Sequence, residues 1–163
     1  MKNILNFKKT SSVYGMTEMS AVAFQSLPID EDEHKIINTV GCIGDHLEAK
    51  VIDDNGNTVP MGARGELCVR GYNVMLGYWN DREKTNEVLG SDRWFRTGDL
   101  FALQKDGYGK IIGRLKDVII RGGENIFPKE IEDVINEHPD VLESQVIGLS
   151  HERLGEENFA KKN

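Results

Sequence analysis

Short apolar runs broken by Gly, Asn and Asp set the rhythm of the first two thirds of this chain. Glu48 to Ile52 (EAKVI) alternates in strand fashion, and Asp53-Asp54-Asn55-Gly56 follows it. Asn-Gly at such a place is a strong hairpin signal, because both residues tolerate the positive φ that a tight turn between twisted strands needs. Thr58-Val59-Pro60 leads on to Gly62, and Glu66 to Arg70 (ELCVR) reads as the returning strand. Trp94 to Thr97 and Leu100 to Leu103 extend again, Asp106-Gly107 marks a turn, and Tyr108 to Gly113 is a further strand. This spacing predicts a small barrel-like or meandering β unit and not a parallel sheet. Between the strands, Asn80 is placed to cap a short helix from Asp81 to Leu89. From Ala21 to Thr39 the chain is polar, and its acidic run Asp30 to Glu33 reads as a solvated loop.

The pattern changes across Gly107 to Glu132 (GYGKIIGRLKDVIIRGGENIFPKEIE). An apolar run (Lys110 to Gly113) meets a charged pivot (Arg114, Lys116, Asp117), a second apolar run (Val118 to Ile120) and the pair Gly122-Gly123. Pro128 suits a first helical turn. Ile131, Val134 and Ile135 then recur at i, i+3 and i+4, which gives a helix with one apolar face, ending near His138-Pro139. Val141 to Leu149 is strand-like, and Gly155-Glu156-Glu157 leads into a polar tail. A lone helix with one or two strands buries little surface, so this second unit reads as unfinished. The fold class expected is α+β.

Composition narrows the function classes. Of 163 residues, 39% are hydrophobic and 29% charged, which allows a globular core. A net charge of −7 argues against a nucleic-acid binder, since phosphate-backbone affinity comes from clustered Lys and Arg. Cys42 and Cys68 form no CxxC pair and the four histidines are scattered, so zinc-like spacing is absent and a reduced intracellular compartment is expected. No apolar run approaches the roughly 20 residues that span a membrane. The start, MKNILNFKKT, is basic but lacks a signal-peptide core; a transit-peptide remnant and a chain that begins mid-domain both account for it.

Three stretches carry groups suited to a nucleotide. In Val13 to Glu18 (VYGMTE), Tyr14 offers a flat face for a base, Thr17 a compact donor to phosphate, and Glu18 an oxygen ligand for Mg²⁺. A buried tyrosine beside a glycine turn is the plain structural alternative. In Trp94 to Leu100 (WFRTGDL), Asp99 can accept two hydrogen bonds from a ribose diol, as acidic residues do in dinucleotide folds; an Asp in a turn between strands is the alternative. Arg114 can donate bidentately to ribose or phosphate oxygens, and Gly122-Gly123 allows close approach or rearrangement of the backbone. An ordinary salt-bridged strand end followed by a turn would look the same.

Taken together and in this order, YGMTE, GELCVRGYNVMLGYW, WFRTGDL and GRLKDVIIRGGENIFPKEIE resemble consecutive core motifs of the adenylate-forming enzymes. That family includes the acyl-CoA synthetases, the luciferases and the peptide-synthetase adenylation domains. The likeness runs from Val13 to Glu157. RGGENIFPKEIE is most similar to acyl-CoA ligases, and the longer motifs to the mitochondrial medium-chain branch of fatty acyl-CoA ligases.

The resemblance implies a two-step reaction. A fatty acid carboxylate attacks the α-phosphate of ATP to give acyl-adenylate and pyrophosphate, and the coenzyme A thiol then displaces AMP. It implies that Tyr14 stacks on adenine, Thr17 contacts phosphate, Glu18 helps hold Mg²⁺, and Asp99 and Arg114 bind ribose. Lys116 falls at the family's hinge, and Gly122 and Gly123 would line the pantetheine channel. Residues 1–115 would then be the C-terminal part of the large AMP-binding domain, with its small barrel-like β unit. Residues 117–163 would be a truncated small domain. The substrates implied are a medium-chain fatty acid, ATP and coenzyme A, with a mitochondrial location and no membrane span.

Two family parts have no match. No Ser/Thr/Gly-rich loop ending in Lys precedes Tyr14, and the family's C-terminal catalytic lysine is absent; Lys161 and Lys162 lie outside any matching motif. The expectation is a part of a ligase that is inactive as this isolated chain. The alternative is a non-catalytic module, derived from the family, that binds adenylate or a partner protein.

Overall fold

The computed structural model describes residues 9–162, so residues 1–8 of the basic opening and Asn163 lie outside it. Its contacts divide the chain into two compact units. One reaches to Thr97 and takes in Phe101–Ile111; the other comprises Gly98–Leu100 and the chain from Ile112 onward.

In the first unit β1 (Val13–Tyr14), β2 (Phe24–Gln25) and β3 (Cys42–Ile43) form an antiparallel sheet, with Tyr14 opposite Phe24 and Phe24 opposite Ile43. The sheet of β4 (Glu48–Ile52), β5 (Arg64–Arg70), β6 (Phe95–Leu103) and β7 (Gly109–Arg114) runs in that order. A Cys42–Tyr108 bridge, with Val40 N donating to Gly109 O (2.8 Å) and Gly109 N to Gly41 O (2.9 Å), ties β3 to the start of β7. Within the four-stranded sheet, β4 to β7 are sequential neighbours, the meander expected. The register of β4 on β5 sets Glu48 opposite Arg70, whose guanidinium donates to both carboxylate oxygens at 2.9 and 2.6 Å.

Aromatic packing fills the middle of this unit. The Tyr14, Phe24 and Phe101 ring centroids lie 5.2 to 6.1 Å apart, and Met19, Leu67 and Val69 close around them with no exposed surface. Burying each large side chain stabilises the fold by about 1.5–3 kcal/mol. Gly109 is required here, because a Cβ would come within 2.2 Å of the Phe101 ring.

Two local expectations need correction. The acidic run is a loop through Asp32, as expected, but its last residue opens an unexpected helix: Asp32 caps α1 (Glu33–Asn38), accepting from His34 N and Lys35 N, and Ile36 is buried. Asp30 accepts from the Tyr108 hydroxyl. The second helix, α2 (Arg82–Val88), is capped by Asp81 and not Asn80. The Asp81 carboxylate reaches Lys84 N at 3.0 Å, while Asn80 sits at φ 53°, outside the helix.

The second unit holds β8 (Ile119–Arg121), β9 (Glu124–Ile126), helix α3 (Pro128–Asn136), β10 (Ser144–His151) and β11 (Gly155–Lys162). Its antiparallel sheet has the order β10-β11-β8-β9. Pro128 opens α3 as expected, and Glu132 in α3 accepts from Val146 N at 2.9 Å, fixing the helix on β10. The polar tail is the third correction. It pairs with β10 along its whole length, from Ser144 opposite Lys162 to His151 opposite Gly155. Backbone pairing overrides a composition that reads as irregular.

Cys68 is a buried free thiol beside Glu66, and burial pushes its pKa up from 9.0 to about 11. A pKa raised in the folded state gives stability that is complete below the unfolded value and lost as pH rises through the folded one. Urea unfolding should show stability falling from about pH 9 to 11, and Cys68→Ala should flatten that fall. Equal pH slopes in the two proteins would contradict the assignment.

Candidate functional site

After Tyr14 the chain makes a tight turn whose shape is dictated by Gly15. A Cβ on Gly15 would lie 1.7 Å from the Ala21 carbonyl oxygen, so no other residue fits. Thr17–Met19 form one 3-10 turn, with Met19 N donating to Met16 O (2.9 Å) and Ser20 N to Thr17 O (3.2 Å). Met19 points into the core, which leaves Thr17 exposed and Glu18 half-buried at the surface of the first unit. Ser20 (φ 48°) and Ala21 (φ 77°) are both left-handed, a conformation costing about 1–2 kcal/mol per non-glycine residue.

The segment following β5 holds this strained turn in place. Asn73 is only 6% exposed, and its side-chain amide donates to both Met19 O and Val22 O at 3.1 Å. Ser20 Oγ donates to Asn73 O (2.9 Å), and Met75 N donates to Glu18 O (2.8 Å). The Tyr78 hydroxyl donates to Glu18 Oε1 at 2.8 Å. Burial first, then the bond to Glu18, raises the Tyr78 pKa above its ordinary value. Tyr78 N in turn donates to Thr85 Oγ1 (2.9 Å) in α2. Asn73 and Tyr78 both lie in GYNVMLGYW, and sequence reasoning gave them no role. The signal available was an Asn and a Tyr within a glycine-flanked motif, which names no partner sixty residues away.

Tyr14 is 7% exposed, its ring engaged with Phe24 and Phe101, so it anchors the turn from beneath. Among the described residues no three His, Cys, Asp or Glu side chains gather to hold a metal. At this turn the oxygen donors are the half-buried Glu18 carboxylate and the exposed Thr17 hydroxyl, hard ligands of the type that Mg²⁺ takes.

The second unit carries the other residues singled out. Gly98 (φ +72°) turns β6 so that Asp99 is 2% exposed. Arg114, at the end of β7, brings Nε to 3.2 Å from Asp99 Oδ1 while keeping half of its side chain in solvent. Lys116 is exposed in the 3-10 turn Leu115–Asp117. Gly122 (φ +61°) and Gly123 (φ +89°) form the two-residue connection between β8 and β9, where positive φ at both positions matches the right-handed twist of the strands. Gly122 N donates to Leu154 O at 2.8 Å. Asp99 and Arg114 are thus brought together in one unit, while Tyr14, Thr17 and Glu18 share one turn in the other.

The family described as AMP-binding enzyme matches residues 1–79. A mitochondrial medium-chain acyl-CoA ligase of Danio rerio is 54% identical over 156 residues, covering 95% of this chain and 26% of the relative. The corresponding ligase of Homo sapiens is 46% identical over 156 residues, covering 95% and 25%. The chain is similar to the AMP-binding enzymes over residues 1–79 and to acyl-CoA ligases over 95% of its length. It spans about a quarter of the length of the curated relatives it matches. Among solved structures, ATP-bound MatB from Rhodopseudomonas palustris superposes on this chain with a TM-score of 0.87 at 40% identity, covering 94% of this chain and 30% of that one. The o-succinylbenzoate CoA synthetase of Bacillus subtilis, in complex with its acyl-adenylate intermediate, gives 0.82 at 32%, covering 93% and 31%. The α+β class expected from sequence holds.

Replacing Asn73 by Ala would leave two inward carbonyls without a donor. An unsatisfied buried polar group costs about 1–3 kcal/mol. Chemical denaturation should show Asn73→Ala less stable by about 2 kcal/mol or more. A change within about 0.5 kcal/mol, the range of ordinary surface substitutions, would show that the amide does not hold the turn.

Proposed function

We propose that this chain is part of an ATP-dependent fatty acid–CoA ligase, forming acyl-adenylate and then acyl-CoA with release of pyrophosphate and AMP. The observation that carries the reading is the pair Asp99–Arg114, a 2% exposed carboxylate held 3.2 Å from a half-exposed guanidinium. A carboxylate at a buried strand position, oriented by an arginine, is suited to accept from a vicinal diol while the guanidinium donates to ribose or phosphate. Asp99 and Arg114 are assigned to ribose, Thr17 to phosphate and Glu18 to Mg²⁺, which bound there neutralises phosphate charge. Adenine is assigned to Tyr14, whose side chain is 7% exposed.

Residues 1–115 are assigned to the large domain and 117–163 to the small one, with Lys116 as the hinge between the two half-reactions. A short 3-10 turn at Leu115–Asp117 is the kind of element end that absorbs a backbone rotation. Gly122 and Gly123 are assigned to the pantetheine channel. The names of the relatives support a medium-chain fatty acid substrate, coenzyme A as acceptor and a mitochondrial location.

The test is isothermal titration of the 163-residue chain with a non-hydrolysable acyl-adenylate analogue. Asp99→Asn should weaken binding by about tenfold or more, since a hydrogen bond to a charged group contributes about 1.5–3 kcal/mol. Arg114→Ala should weaken it less, by about three- to tenfold, because half of that side chain stays in water. Affinity unchanged by Asp99→Asn would remove the ribose assignment. Turnover is a separate test. With no match for the phosphate-cradling loop or the C-terminal lysine, the chain alone should make no acyl-CoA from ATP, fatty acid and coenzyme A. Each lost group that stabilises transition-state charge costs about 10²–10³ in rate. Product above the enzyme-free background would overturn that expectation.

A further inference from the structure

Tyr78 is placed as if its hydroxyl, and not its ring, is the functional part. It is separated from Glu18 by sixty residues of sequence, yet its O–H meets Oε1 at 2.8 Å. Two features on its own side fix it for that contact. Its backbone N donates to Thr85 Oγ1 (2.9 Å), and Thr85 Oγ1 donates to Asp81 O (2.7 Å) at the capped start of α2. Gly77 lets the chain lie against that helix, since a Cβ there would come within 2.8 Å of Thr85 Cγ2. On the Glu18 side the backbone is fixed by Met75 N donating to Glu18 O at 2.8 Å. The backbone contact sets the position of Glu18, and the phenol sets the rotation of its carboxylate.

We propose that Tyr78 is a positioning residue for the metal carboxylate. Its hydroxyl takes one lone pair of Glu18 Oε1 and orients the carboxylate, leaving Oε2 for a hard divalent cation bound with the nucleotide phosphates. The proposal rests on the assignment of Glu18 to Mg²⁺ made above. The physical reason is entropic and electrostatic together. A surface glutamate samples several rotamers, and ordering it at the moment of metal binding carries an entropic cost. A carboxylate already held by a neutral donor has met that cost in advance. Hydrogen-bond partners of ligating carboxylates affect metal affinity by about 10–100-fold when removed.

The test is a double-mutant cycle in the 163-residue chain, with ATP affinity measured by titration calorimetry over a series of Mg²⁺ concentrations. The four proteins are the wild type, Y78F, E18Q and the double variant. Y78F should raise the Mg²⁺ concentration for half-maximal ATP binding by about tenfold. It should leave metal-free ATP affinity and the unliganded Tm unchanged. In the E18Q background Y78F should shift nothing further. An undiminished Y78F effect on E18Q, or a Mg²⁺ dependence that E18Q shifts and Y78F does not, overturns the positioning role. A lowered Tm with no change in Mg²⁺ dependence shows a structural contact and also overturns it. No Mg²⁺-dependent ATP binding in the wild type, or none that E18Q alters, overturns the assignment of Glu18 itself, which separates that failure from failure of the role given to Tyr78.

Discussion

The carbonyls of Met19 and Val22 turn inward to the same side-chain amide, that of Asn73, and the shape of the candidate nucleotide turn depends on it. Ser20 and Ala21 sit between those carbonyls in left-handed conformations that neither residue prefers. A turn of that kind persists only where its surroundings over-determine it. Here the surroundings are specific: a buried amide, the Ser20 hydroxyl, the Met75 amide and Met19 seated in the core. The return is that Thr17 and Glu18 are presented side by side on a rigid support. Side chains offered by a single 3-10 turn with a buried anchor need little reorganisation to meet a charged ligand.

In the second unit, charge burial does comparable work by different means. Asp99 is nearly inaccessible, and burying a charged side chain is costly unless it is paired and hydrogen-bonded. Arg114 supplies charge at 3.2 Å and stays half in water, so the pair is neither fully desolvated nor fully screened. That intermediate state suits a ligand whose hydroxyls can replace solvent around the guanidinium without stranding the carboxylate.

How far the fold could be read from the chain depended on where the ordering information lies. The β4 strand, the helix opened by Pro128 and the Asp106-Gly107 turn were legible because alternation, periodicity and turn chemistry are local. Helix α1 was hidden because an acidic run is ambiguous until Asp32 is seen to accept from His34 N and Lys35 N. The α2 cap slipped by one residue because Asn80 and Asp81 are both good caps, and only the backbone angle at Asn80 separates them. At the candidate site, the residue types at Thr17, Glu18, Asp99 and Arg114 carried chemistry that a sequence can display. Asn73 and Tyr78 act on partners more than fifty residues away, and no spacing rule encodes such a contact.

The last strand shows what a misleading composition can be for. β11 pairs with β10 along one edge, but β8 meets its other edge in register only at Gly155. Beyond that point, among the described residues, the second edge of β11 has no ladder partner. A long strand with open amides and carbonyls invites sheet growth by another chain. The sequence Glu156-Glu157-Asn158 and Lys161 puts charge and amide along that strand, with Phe159 the single large apolar side chain. The polarity that disguised β11 as a tail is therefore also a guard against intermolecular β-pairing, and loss of those charges would turn an ordered strand into a seed for aggregation.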